Sequence, residues 1–199
     1  MYIVSPLVLS RMARRPRAEA RRARREGRGI GRRGGRREWE RYKMTQKLVA
    51  IGDDFYVENQ AGVRVFKIDG KALRVRDTLV MDDLQSGDTY KIQEKIVRIK
   101  DTMTVRKNGR PEATIKKALI TPLRDRFTIS IGGDRDLTVK GNILDHEYRL
   151  MRNGERVAEV SKKWFRIRDS YGIEVSPEMD AGLVVACTVA LDMMVHPTR

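Results

Sequence analysis

One seven-residue phrase recurs at a fixed interval, and it limits the possible folds more than any other feature of the chain. "VRDTLVM" (75–81) is followed by "IKDTMTV" (99–105) and "LRDRFTI" (123–129), each 24 residues after the last. Asp53 in "IGDDFYV" lies 24 residues before Asp77, and Asp169 in "IRDSYGI" gives a fifth copy after a longer gap. A lysine stands six residues before the aspartate in four copies, at Lys47, Lys71, Lys95 and Lys163, whereas Lys117 lies eight residues before Asp125. Self-similarity at a fixed period is the mark of a repeated structural unit.

The unit reads as strand. Val97, Ile99, Met103 and Val105 alternate with Arg98, Lys100, Thr102 and Thr104, which is the period of a strand with one dry face and one wet face. The aspartate shares the apolar parity, so it caps a bend or turns the chain between strands. "ENQAG", "LQSGD", "RKNG" and "MRNGE" carry the Gly, Asn and Asp of hairpin turns. Each unit is then about two strands, and residues 44–175 hold on the order of ten to twelve antiparallel strands. So many twisted strands close or split, and closure removes the edges. The expected architecture is an all-β closed barrel.

The last segment departs from this period. In "SPEMDAGLVVACTVALDMMVH", apolar residues from Ala181 to Val195 cover every side of a helical wheel, and a helix apolar all round is buried all round. With Ser176 as cap and Pro177 at the first helical position, a helix over 177–194 would run roughly 27 Å. It would thread a barrel of that height and fill it.

Charge divides the chain in two. Residues 1–43 hold 15 Lys/Arg against four acids, while the remaining residues hold 27 against 23. An arm over 1–40, rich in Arg, Gly and Ala, lacks the apolar content to offset its ordering entropy and is expected to be disordered. It reads equally as translation from upstream of a true start near Met44. Such an arm suits non-specific nucleic-acid binding. The folded domain is expected over 41–199. A single cysteine, Cys187, excludes an internal disulfide and suits a reducing, cytoplasmic setting. The longest uncharged run, 181–191, is shorter than the roughly 20 residues of a membrane span.

"KLVAIGDDFYV", "KIDGKALRVRDTLVM", "EKIVRIKDTM", "VKGNILDHEY" and "LDMMVH", in this order over 44–196, resemble the LURP-one-related family, whose fold is similar to the tubby C-terminal domain and the phospholipid scramblases. The resemblance implies a twelve-stranded barrel around a hydrophobic C-terminal helix. It also implies kinship with proteins that bind phosphoinositides or act at membranes. It brings no catalytic residues with it.

The chemistry of the remaining residues is sparse. His146 and His196 are the two histidines, and without a CxxC, an HExxH or a carboxylate-rich loop no metal or other cofactor is expected. His146 reads as structural, and Cys187, inside the apolar helix, as an inert thiol. Asp192 is the odd residue of that helix. It must find a partner or a mouth of the barrel. The basic positions that recur with the repeat are Arg74, Arg76, Arg98, Lys100, Arg124, Arg166 and Arg168. They are the candidate site for anionic lipid headgroups, unless they simply solvate the exterior. The sequence therefore points to a non-enzymatic binding or scaffold module, cytoplasmic or peripheral to an anionic membrane. A nucleic-acid-associated protein acting through the arm is the alternative.

Overall fold

The structure is a computed structural model that describes residues 38–45, 54–69, 78–95, 102–121, 124–133, 135–164 and 170–196. Twelve strands follow in order: β1 (Glu40–Thr45), β2 (Phe55–Asn59), β3 (Arg64–Asp69), β4 (Thr78–Asp83), β5 (Thr89–Glu94), β6 (Thr102–Lys107), β7 (Arg110–Thr121), β8 (Arg124–Ile131), β9 (Arg135–Asn142), β10 (Glu147–Arg152), β11 (Glu155–Ser161) and β12 (Ser170–Val175). One helix, α1 (Ala181–Val195), follows them. Every strand pairs antiparallel with its neighbour in sequence, and β1 pairs with β12, from Glu40 opposite Val175 to Thr45 opposite Ser170. The barrel is closed.

The repeat is a pair of strands. Asp53, Asp77, Asp101 and Asp169 lie outside the described residues, in the connections that lead into β2, β4, β6 and β12, and Asp125 is the second residue of β8. The four expected turns join β2 to β3, β4 to β5, β6 to β7 and β10 to β11. Two of them are Asn-Gly pairs with both residues left-handed: Asn108 (φ 48°) with Gly109 (φ 81°), and Asn153 (φ 52°) with Gly154 (φ 85°). That conformation matches the twist of the flanking strands.

Alternation fills the interior. Tyr90 and Ile92 of β5, Phe127 and Ile129 of β8, Tyr148 and Leu150 of β10, and Tyr171 and Ile173 of β12 are buried, while Lys91 and Arg149 between such pairs are exposed. Thr102 departs from the expected parity. The alternation puts it on the wet face, but it is buried, with its hydroxyl unpartnered among the described residues.

α1 occupies the axis, packed against β5, β6, β7 and β12. Every residue from Gly182 to Asp192 is buried. The helix starts later than the sequence suggested. Ser176, Pro177, Glu178 and Met179 form a turn, closed by the Met179 N–H donating to the Ser176 carbonyl at 3.0 Å, with proline at a position that suits it. This turn swings the chain from the end of β12 toward the axis. The cap is Asp180, whose carboxylate accepts from the Leu183 N–H at 2.9 Å. The helix is accordingly about 22 Å long rather than 27 Å.

Candidate functional site

Strict antiparallel order divides the connections between two mouths. The short turns after β2, β4, β6, β8 and β10 share one mouth with the start of α1; call it the hairpin mouth. The connections after β1, β3, β5, β7, β9 and β11 leave strand ends at the other, where α1 finishes. That is the histidine mouth.

At the hairpin mouth, the Asp180 carboxylate does more than cap the helix. It accepts from Lys107 Nζ at 2.7 Å and from the Tyr90 hydroxyl at 3.2 Å. Lys107 also reaches Asp88 at 2.9 Å. Burial pulls the Lys107 pKa down, but hydrogen bonds to Asp180, Asp88 and Tyr90 outweigh it and hold the ammonium above its ordinary range. Burial pushes the Asp180 pKa up, and the bonds from Lys107 and the Leu183 N–H more than reverse that. The Tyr90 hydroxyl, desolvated by burial, is pushed up to about 12. Gly182 leaves room for this arrangement, because a Cβ there would collide with the Tyr90 ring and hydroxyl. A cleft of about 860 Å³ opens beside the network, lined by Trp39, Glu40, Arg41, Tyr42, Gln85 and Met179 among others. Tyr42 donates to Glu40, and Arg41 pairs with Glu174 at 2.8 Å. With Glu38 and Glu40 in its wall, this cleft is poorly matched to an anion.

At the histidine mouth the polar groups are buried. His146, in the turn between β9 and β10, has a left-handed backbone (φ 54°), which histidine tolerates better than most residues. The turn aims its ring at the last turns of α1. His146 Nε2 lies 2.7 Å from Asp192 Oδ1, and both side chains are almost fully buried. His196, four residues after Asp192 on the same helix face, places its Nε2 3.9 Å from the same oxygen. The His146 ring stacks on Tyr171 at 4.2 Å and faces His196 at 5.5 Å. Burial, reinforced by the Asp192 charge, holds the Tyr148 and Tyr171 hydroxyls well above their ordinary pKa. His146 Nδ1, His196 Nε2 and the Tyr171 hydroxyl are buried with no hydrogen-bond partner among the described residues.

Six of the basic positions singled out in the sequence, Arg74, Arg76, Arg98, Lys100, Arg166 and Arg168, lie outside the described residues. Arg124 opens β8, with its side chain outside them too. Asp192, the odd acid of the apolar helix, sits at a mouth and has found its partner. The convergence of His146, Asp192 and His196 escaped sequence reasoning. The available signal was Asp192 itself, with a histidine four residues on. Cys187 is buried in α1, and burial pushes its thiol up to about 12.

The LURP-one-related family model matches residues 40–192, from the first strand to the last turns of the helix. The chain belongs to the LURP-one-related family. Among its relatives is the uncharacterized protein YxjI of Bacillus subtilis (strain 168), 26% identical over 154 residues that cover 77% of this chain and 92% of that one. The X-ray structure of an Arabidopsis thaliana protein superposes with a TM-score of 0.57 at 19% identity, over 77% of this chain and 90% of that one. That likeness concerns the fold alone. Among the described residues, no helix is long and apolar enough to cross a membrane.

Proposed function

We propose that this LURP-one-related barrel is a non-enzymatic binding or scaffold module that meets an anionic surface at its histidine mouth, with phosphoinositide-like headgroups of anionic phospholipids as the partner. One observation carries the reading. The strand ends that flank 70–77, 95–101, 122–123 and 162–169 all belong to that mouth. Those stretches, with Arg124 at the start of β8, contain all seven recurrent basic positions. A basic residue near a membrane surface attracts anionic lipid by roughly 1 kcal/mol. Leu144, 60% exposed in the turn beside His146, adds an apolar contact. The cleft at the opposite mouth has Glu38 and Glu40 in its wall, and Arg41 there is paired with Glu174, which disfavours an anion. The reading puts the protein in the cytoplasm, peripheral to the membrane. Its non-enzymatic part is supported by Cys187, a nucleophile withdrawn into the core with a raised pKa.

The test is co-sedimentation of the full chain, and of a fragment starting at Glu38, with phosphatidylcholine vesicles with and without a phosphoinositide. A parallel titration uses duplex DNA. Both forms should bind the phosphoinositide vesicles, and binding should fall as salt rises, because screening shortens to about 8 Å at physiological ionic strength. Reversing Arg98 and Lys100 together to Glu should weaken binding with little change in Tm, the outcome that separates residues serving binding from residues serving the fold. Loss of all vesicle and DNA binding with the arm would overturn the reading in favour of a nucleic-acid-associated protein.

A further inference from the structure

We infer that the histidine mouth is a binding site for a borderline divalent metal ion of the zinc type, held by Nε2 of His146, the carboxylate of Asp192 and Nε2 of His196. The ligand atoms of these three residues all lie within 4.8 Å of one another. Two ligands on a tetrahedral zinc ion, with bonds of about 2.0–2.1 Å, sit about 3.3 Å apart. The observed separations from Asp192 Oδ1, 2.7 Å to His146 and 3.9 Å to His196, fall on either side of that value. A cation entering between them opens the tight pair and draws in the loose one. His196 is the residue able to move, because it is the C-cap of α1.

Three further observations point the same way. Asp192 stands against the helix macrodipole. An acid in the last turn faces the negative end of its own helix, and α1 has no basic residue there. Its position therefore calls for a cation from outside the helix. Second, His196 Nε2 is buried and unpartnered, aimed at an oxygen too distant for a hydrogen bond. Third, the donor set selects the ion. Two imidazoles and one carboxylate suit zinc, cobalt or nickel, while calcium and magnesium require oxygen ligands. His146 and Asp192 are buried, and His196 is 40% exposed, so the ion enters past His196. Once bound, it would tie the end of the axial helix to the β9–β10 turn.

The experiment uses the full chain without a histidine tag, stripped with a chelator and titrated with zinc chloride or cobalt chloride. Because the chain has two histidines, nitrogen-15 spectra of the imidazole rings report on both at once. One equivalent of zinc should shift both ring signals and raise Tm, and cobalt should give a visible absorption of low-coordinate type. His196→Ala, at a partly exposed helix end, should keep the metal-free Tm and weaken binding about 100-fold or more. Calcium should do nothing. Absence of any ring shift, binding unchanged in His196→Ala, or an equal response to calcium would each overturn the inference. Vesicle binding that failed while the imidazoles still took up zinc would count against the lipid reading alone.

Discussion

At the hairpin mouth the chain reverses in two to five residues, while at the histidine mouth the connections run to as many as nine. The difference extends to the charges. Lys107, Asp88 and Asp180 keep between about a quarter and two-fifths of their side chains in solvent, whereas His146 and Asp192 keep almost none. Both mouths therefore hold an acid of the helix segment with a nitrogen partner, but in different solvents. Where water can replace a lost partner the bond is cheap to break; where it cannot, the bond becomes a condition of folding.

Removing one partner at each mouth tests that contrast. His146→Ala leaves the Asp192 carboxylate buried without its bond. It should cost about 3–5 kcal/mol, measured by urea unfolding, and His146→Asn, which tolerates the same backbone and supplies a donor, should recover part of it. Equal stability of wild type and His146→Ala would show that water reaches the histidine mouth freely. Gly182→Ala is expected to rank second. Its methyl meets the Tyr90 ring, and such overpacking costs about 1–3 kcal/mol. Lys107→Met at the hairpin mouth should cost about 1 kcal/mol or less.

The pH dependence of that last loss sharpens the comparison. Lys107 has a raised pKa, so its contribution is complete below the ordinary lysine value of 10.5 and fades as pH climbs through the folded value. Asp180 has a lowered pKa, so its contribution is complete above 3.8 and fades as pH falls through the folded value. The Tm difference between wild type and Lys107→Met should be flat from about pH 4 to 10 and shrink on both sides. A difference that vanished near pH 7 would remove Lys107 from the network.

The smallest effect is expected on the surface. Leu144→Asp should leave stability within about 0.5 kcal/mol of wild type while reducing vesicle binding. A fall in Tm with unchanged binding would make Leu144 part of the turn rather than of the docking face.

These contrasts also explain what could be read in advance. The 24-residue period fixed the strand pairing because it depends on residues close in sequence, and Asn108-Gly109 and Asn153-Gly154 announced their turns by chemistry alone. Closure followed from the number of strands. The helix starts later than the sequence suggests because Ser176-Pro177 suits a turn as well as a cap, and the choice depends on where β12 delivers the chain. The pairing of His146 with Asp192 spans 46 residues and exists because β9 and β10 end beside the foot of α1, a consequence of barrel register that no local pattern encodes.

A rod that is greasy on every side gets no preferred angle of roll from hydrophobicity alone inside a greasy sleeve. α1 is such a rod, since its apolar residues leave no side facing water. Its orientation about its own axis is set by local fits, such as Gly182 against Tyr90, and by two acids. Asp180 and Asp192 are twelve residues apart, about 18 Å along the axis and about 120° around it. One is tied to Tyr90 and Lys107 and the other to His146. They act as keys at the two ends of a shaft. With one cut the other still holds the angle; with both cut, no polar contact at either end would fix how the helix is turned.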